Sequence, residues 1–248
     1  ISKGNLWNGR FFAYNSFSPL KKEDGFSGGV RLTRETRKHK INFEYSYLGD
    51  DYRTDLGILR RIGASKLAPY YEYTIFPKKS KLNNISFGFY YWLWFKLNTS
   101  SENILENNFN IPVTFTFNNQ SEIQLLYRQA HQFFKRDFDP TGINNDNPLV
   151  GGKIYKSNYI QLAYESNPTE KFYFTLSQNY GMFYDGNKYS FENSFNLRVQ
   201  PRLSASMIIN YDIIKLRHLK DYSKLWLVGP KIDYTFNKKL FWSNLIQF

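Results

Sequence analysis

The chain has 248 residues, no cysteine, 19% aromatic residues and a formal net charge of +12. The absence of cysteine excludes disulfides, thiol catalysis and cysteine-ligated metals, and no apolar run of about 18 residues is present that could form a transmembrane helix. A mean hydropathy of −0.55 with so many aromatic residues is typical of an outer-membrane β-barrel, because half of each strand is polar and tyrosine and tryptophan form interfacial girdles.

The basic residues are spread over predicted strand ends and are not gathered on one recognition element. This distribution disfavours nucleic-acid binding, which usually needs a concentrated basic patch or a recognition helix. We expect lysine and arginine at the barrel rims to contact lipid phosphates or the phosphates of lipopolysaccharide.

Alternation of apolar and polar residues predicts twelve or thirteen strands. In chain order the candidates are 9–17, 25–34, 39–48, 66–76, 84–97, 109–118, 121–132, 153–165, 170–184, 188–200, 202–216, 223–236 and 238–248. Bacterial single-chain barrels usually have an even number of strands. The count therefore suggests that one assignment is wrong or that one strand is missing.

Residues 170–211 show the clearest alternation. Their apolar positions include Phe172, Phe174, Phe195, Leu203 and Ile209, with polar residues between them. A period of two predicts strands and not helices. We expect the apolar face to contact lipid and the polar face to contact water, whereas packing of these side chains in a closed interior would indicate a soluble fold.

The predicted connections are of two kinds. Short turns near 77–83, 118–120, 167–169, Pro201 and 237–238 are expected on the periplasmic side. The longer polar stretches 49–65, 98–108, 133–152 and 217–222 are expected to be extracellular loops or segments folded into the lumen.

The predicted fold class is therefore all-β, a transmembrane antiparallel β-barrel of about 12–16 strands with short periplasmic turns and longer extracellular loops. Residues 1–248 are expected to form a single barrel domain that is a fragment of a longer protein. The sequence starts at Ile1 and has no signal peptide, which an outer-membrane protein needs.

One possible charge cluster of the lumen or rim involves Glu44, Asp55, Arg60 and Arg61. In the simpler interpretation, the two arginines lie at the rim in a loop that connects two strands. In the functional interpretation, Arg60 or Arg61 points into the lumen against Asp55 or Glu44. That arrangement would form an internal salt-bridge plug or a constriction that prefers anions.

A hydrolase is the main enzymatic alternative. His131 has Asp137 and Asp139 close in sequence, and a histidine with carboxylates can perform acid–base chemistry. No zinc-protease, nucleophile-elbow, P-loop or dinucleotide-binding motif accompanies them. We therefore predict no catalytic residues, no cofactor and no metal site.

Four short motifs, three of them aromatic, together suggest a family. They are DLGILRR at 55–61, YYEYTIFP at 70–77, GMFYDG at 181–186, and YTFNKKLF at 234–241 with LIQ at 245–247. As a set they resemble a family of Bacteroidota outer-membrane proteins of unknown function, in which a carbohydrate-binding family 9-like β-sandwich precedes a C-terminal β-barrel. The resemblance covers most of 25–248 and implies no catalytic residues.

The resemblance also implies that this chain is the barrel part without the sandwich. The family's barrel continues beyond the position of Gln247, so we expect the chain to be truncated. Trp242, Ile246 and Phe248 alternate in a way that also resembles the C-terminal strand signal of barrel assembly.

We expect a non-enzymatic outer-membrane barrel that serves as a membrane anchor or as a subunit of a larger surface complex for glycan binding and uptake, secretion or barrel assembly. The alternatives are a passive pore for small solutes or oligosaccharides and an outer-membrane hydrolase. The expected partners are outer-membrane lipid, lipopolysaccharide, other outer-membrane or periplasmic proteins, and glycans bound by the missing N-terminal domain. No nucleic-acid partner is expected.

Overall fold

The computed structural model describes residues 6–17, 25–53, 61–96, 104–142, 148–217, 219 and 222–246. Their regular elements are β1 (Trp7–Ser16), β2 (Gly25–Glu35), β3 (His39–Leu48), β4 (Ala64–Ile75), β5 (Leu82–Phe95), β6 (Ile104–Phe117), β7 (Glu122–Phe134), β8 (Lys153–Glu165), β9 (Phe172–Phe183), β10 (Gly186–Val199), β11 (Leu203–Lys215), β12 (Ser223–Asn237) and β13 (Leu240–Leu245). These residues contain no helix that is long and apolar enough to cross a membrane.

All thirteen strands belong to one antiparallel sheet and follow one another in chain order from β1 to β13. This confirms the all-β class and the hairpin-by-hairpin topology. In the described residues β1 and β13 are the two ends of the strand order, and the sheet is not closed by a pairing between them. The barrel is therefore not confirmed.

Most strand boundaries agree with the predicted ones to within a few residues. The largest difference is the start of β6, which begins at Ile104 and not at 109. The added stretch contains Asn107 and Asn108, and asparagine is depleted in strands because it competes for backbone hydrogen bonds. In the folded chain Asn108 is buried and accepts a hydrogen bond from Asn110, which makes it compatible with the sheet.

The strand register confirms the alternation predicted for 170–211. Phe174 lies opposite Phe195 in the β9–β10 pair, and Phe195 lies opposite Met207 in the β10–β11 pair. Directly opposed residues share a face, because successive side chains of a strand point to opposite sides. We call the side with Phe174 and Phe195 the apolar face and the other side the polar face.

The chain divides into two compact units. Unit 1 comprises Ile1–Thr74, Phe87–Ile111 and Ala130–Phe133, and unit 2 comprises Ile75–Ser86, Pro112–Gln129 and Phe134–Phe248. The prediction of a single domain stays a prediction. The two faces are described for each unit separately.

In unit 1, the apolar face is the side with Phe11 and Phe43, and large side chains on it are exposed. Phe11 is 79% exposed and Phe43 is 41% exposed, and both share a face with Val30 and Leu32. The opposite side contains charged and amide side chains, among which Asn108 and Asn110 are almost completely buried.

Unit 2 has the same distribution. Phe172 is 53% exposed and Tyr180 is 63% exposed on the apolar face, whereas Ser177 and Ser190 are buried on the polar face. Of the six apolar residues that would form the interior of a soluble fold (Phe172, Phe174, Phe195, Leu197, Leu203 and Ile209), none is buried. The side chains are thus distributed in the opposite way to a soluble sandwich, in which the apolar face is buried.

Candidate functional site

The polar face of unit 1 contains an ion cluster centred on Glu44. The Arg31 Nε donates to the Glu44 Oε2 at 2.8 Å, the Arg31 Nη2 also contacts that oxygen, and the Lys66 Nζ lies 2.8 Å from the Glu44 Oε1. Strand register explains this contact, because Arg31 is directly opposite Glu44 and Ala68 is opposite Glu44 on the next strand, two residues from Lys66. The Glu44 side chain is only 13% exposed.

Arg61 belongs to a second ion pair of unit 1. Its Nη2 lies 2.8 Å from the Glu106 Oε2, and both side chains are mostly buried. Glu44 and Arg61, two members of the predicted charge cluster, therefore belong to different ion pairs. Each contacts residues that the sequence analysis did not include in the cluster. Asp55 and Arg60 lie outside the described residues, and the plug or constriction built from them stays a prediction.

The sequence interpretation missed Arg31, Lys66 and Glu106. The alternation of polar and apolar residues along the strands could have identified Arg31 and Lys66. Each stands at a polar position of an alternating segment, and the antiparallel hairpins bring those positions together. Glu106 lies in the part of β6 that was not predicted to be a strand.

Unit 2 contains a ladder of polar side chains across β8, β9 and β10. The Gln161 Nε2 donates to the Ser177 Oγ at 2.7 Å, and the Asn179 Nδ2 donates to the Glu192 Oε1 at 3.3 Å. We call Gln161, Ser177, Asn179 and Glu192 the polar ladder. These bonds link neighbouring strands through their side chains, in addition to the backbone hydrogen bonds of the sheet.

Charged groups continue this polar face on both sides of the ladder. The Lys188 Nζ lies 2.8 Å from the Asp212 Oδ2, and the Arg128 Nη1 donates to the Tyr159 hydroxyl at 3.1 Å. Tyr159, Asn179, Lys188 and Glu192 contribute to the lining of a cavity of about 150 Å³. The cavity could hold water or a small polar molecule.

A cluster of four aromatic rings holds the described part of the connection between β7 and β8 against the neighbouring strands. Phe138 in that connection stacks on Phe134 with ring centroids 4.7 Å apart. The Tyr184 ring packs edge-on against Phe134, Phe138 and Tyr155, and the Tyr155 ring is tilted against Phe134. We call these four residues the aromatic clamp. Tyr155 lies on the same face of β8 as Tyr159, so the clamp joins the connection to the polar-face side of the strands.

The residues of the hydrolase hypothesis have structural partners. The Asn107 side chain lies 3.3 Å from the His131 Nδ1 in unit 1. In unit 2, Asp137 accepts a hydrogen bond from the Gly151 backbone N–H, and Asp139 accepts two from Thr141. Among the described residues, no group of three or more His, Asp or Glu side chains is placed to hold a metal ion.

Taken together, the polar face offers cross-strand ion pairs and hydrogen bonds. Several of its ionisable groups are paired across neighbouring strands, namely Arg31 and Lys66 with Glu44, and Lys188 with Asp212. Such an arrangement stabilises the sheet and can hold water or polar ligands.

Comparison with known proteins gives one family match. The sequence matches a family model over residues 3–224, and the family is described as a domain of unknown function (DUF5916). Comparison with curated proteins gives no match. The match agrees with the expected membership of a family of unknown function. Because it covers most of the chain, the protein belongs to the DUF5916 family.

Proposed function

We propose that this chain forms the transmembrane β-barrel of a non-enzymatic bacterial outer-membrane protein, which serves as a membrane anchor or as a subunit of a larger surface complex. The observation that supports the proposal most is the exposed apolar face opposite a bonded polar face. It is present in unit 1 and in unit 2 alike.

The solvation free energy of the apolar face is the physical reason for proposing a membrane location. Exposing a large apolar side chain to water instead of burying it costs about 1.5–3 kcal/mol, and monomeric soluble proteins rarely expose apolar patches beyond a few hundred Å². Phe172, Leu176, Tyr180, Ile160 and Leu162 alone form an exposed group on β8 and β9. Hydrocarbon is the solvent in which such a face is stable, provided that the sheet closes and leaves no unpaired edge.

The polar face supports a sealed barrel more than an open pore. Cross-strand ion pairs such as Lys66–Glu44 and Lys188–Asp212 would neutralise part of the charge of the lumen. The aromatic clamp also attaches part of the connection between β7 and β8 to the polar-face side. A passive pore for small solutes or oligosaccharides is therefore the weaker proposal, and the hydrolase has no described arrangement in its favour.

The finer parts of the proposal depend on the family resemblance. It motivates a Bacteroidota source, a carbohydrate-binding family 9-like sandwich elsewhere in the full-length protein, and a part in glycan binding and uptake, secretion or barrel assembly. The proposed location is the outer membrane, where lipid, lipopolysaccharide and other outer-membrane or periplasmic proteins are the partners.

Reconstitution tests the proposal. The chain is refolded in the presence of phospholipid vesicles, and the vesicles are washed with urea or alkaline carbonate. The same protein is added to planar bilayers, and the ion conductance is measured. We expect the protein to stay with the washed vesicles and to give no steady ion conductance. A stable, monodisperse chain in buffer without lipid or detergent contradicts the membrane proposal, and a large stepwise conductance contradicts the sealed barrel in favour of the pore.

A further inference from the structure

The turns at one end of the strands in unit 2 carry a strong excess of positive charge. Five short turns connect β4 to β5, β6 to β7, β8 to β9, β10 to β11 and β12 to β13, at 76–81, 118–121, 166–171, 200–202 and 238–239. Because consecutive strands are antiparallel, these five turns all lie at the same end. They contain seven basic residues and one acidic residue, Glu170. The basic residues, which we call the basic rim, are Lys78, Lys79, Lys81, Lys171, Arg202, Lys238 and Lys239.

The connections at the opposite end of unit 2 have no such excess. The residues that the structure describes in these connections (135–142, 148–152, 184–185, 216–217, 219 and 222) include three basic and three acidic ones. Among the connections of unit 2, the positive charge is therefore concentrated at the short-turn end, while Lys153, Lys188, Lys215 and Lys224 lie in strands close to the opposite end. A concentration of this kind is a property of the fold, since the seven basic residues are spread over more than 160 positions of the sequence.

The basic rim is accessible and held in place. All seven side chains are exposed, and none of them has an ion pair with another described residue. The turns are tied to neighbouring strands and turns through their backbones. The Asn118 N–H donates to the Lys81 carbonyl at 2.9 Å, the Arg198 N–H donates to the Lys171 carbonyl at 2.7 Å, and the Thr235 N–H donates to the Arg202 carbonyl at 2.8 Å.

Exposed apolar residues stand directly beside these turns. Ile75, Phe172, Val199, Phe236 and Leu240 each lie within two residues of a short turn and are all at least 40% exposed. A surface that sets free cations next to exposed apolar side chains is complementary to a lipid interface, where phosphates lie beside hydrocarbon. A nucleic acid or an acidic protein would match the cations but would leave the apolar residues in water.

We propose that the basic rim binds the phosphate groups of anionic phospholipids in the membrane leaflet next to the short turns. This deepens and rests on the proposed function, because the rim reaches that leaflet only if the strands span the bilayer. The proposal also names phospholipid at the short-turn end as the ligand of the basic rim, and not lipopolysaccharide at the opposite end.

Lipid selectivity measured by electron paramagnetic resonance tests the proposal. The protein is reconstituted in phosphatidylcholine with a trace of spin-labelled phosphatidylglycerol or spin-labelled phosphatidylcholine, and the motionally restricted fraction of each label is compared. The variant K78Q/K79Q/K81Q removes three charges of the basic rim. The matched control K135Q/R136Q/K153Q removes three exposed charges near the opposite end.

For the wild-type protein and the control, we expect phosphatidylglycerol to be preferred over phosphatidylcholine by several-fold. For K78Q/K79Q/K81Q we expect the preference to fall towards one. A wild-type preference of one, or an equal loss in both variants, overturns the basic rim as a lipid site. Absence of motionally restricted lipid of either kind instead contradicts the proposed function itself, because the protein is then outside the bilayer.

Discussion

At the residue scale, the polar face depends on pairs whose members lie far apart in sequence and meet through strand register. Glu44 is the clearest case, since its two oxygens are shared between Arg31 on one side and Lys66 on the other. Removing one member of a shielded charge pair lowers the free energy of unfolding by more than the intact pair contributes. The reason is that the remaining partner is still shielded from water but has lost its counter-ion.

We predict that Glu44→Gln lowers the free energy of unfolding by about 1–3 kcal/mol, because it leaves two cations without their carboxylate. The matched control is Glu35→Gln in the same unit, since Glu35 and Lys40 are 4.0 Å apart and solvent-exposed. That control should change stability by no more than about 0.5 kcal/mol. Urea titration of vesicle-bound protein, followed by the fluorescence of its five tryptophans, measures both, and equal effects would contradict the ion cluster.

At the element scale, the sequence predicted the strands well and the partners of its charged residues poorly. A period of two is local information, so β8 to β12 were found to within about two residues at each end. The contacts of Arg61 with Glu106 and of Lys188 with Asp212 depend on which strands are neighbours and in what register, which a single strand does not encode. The exposed apolar face was predictable, whereas the aromatic clamp was not, because Phe138 lies in an irregular connection.

Glycines on the polar face differ in what surrounds them. A methyl group at Gly181 would overlap the carbonyl oxygen of Asn158 and the backbone of Tyr159, whereas one at Gly229 would meet its nearest atoms at 3.8 and 3.9 Å, an ordinary van der Waals distance. Both positions lie inside strands. Close approach of β8 to β9 therefore requires glycine at 181 but not at 229.

Accordingly, we expect Gly181→Ala to destabilise the folded protein by about 1–3 kcal/mol through overpacking. Gly229→Ala should be neutral or should stabilise it by up to about 1 kcal/mol, because alanine loses less conformational entropy than glycine on folding. The same urea titration compares the two variants. If Gly181→Ala were as stable as Gly229→Ala, the tight β8–β9 contact would be wrong.

At the scale of the whole molecule, the central claim concerns which solvent each face contacts. Thirteen strands in sequential antiparallel order, an exposed apolar face and a bonded polar face are the arrangement expected of a transmembrane barrel wall. The charge excess in the short turns of unit 2 gives its strands a polarity, since the turns at the two ends differ in the number of basic side chains that they present.

Site-directed spin labelling along β9 tests this claim most directly. The chain has no cysteine, so single cysteines at Phe172, Phe174 and Leu176 and at Tyr173, Thr175 and Ser177 can be labelled one at a time in reconstituted protein. Accessibility to oxygen, which partitions into hydrocarbon, is compared with accessibility to a water-soluble nickel complex. We predict that the ratio of oxygen accessibility to nickel accessibility is high at the first three positions and low at the other three, with a period of two. Protection of the first three positions from both reagents, or the absence of alternation, would contradict the account.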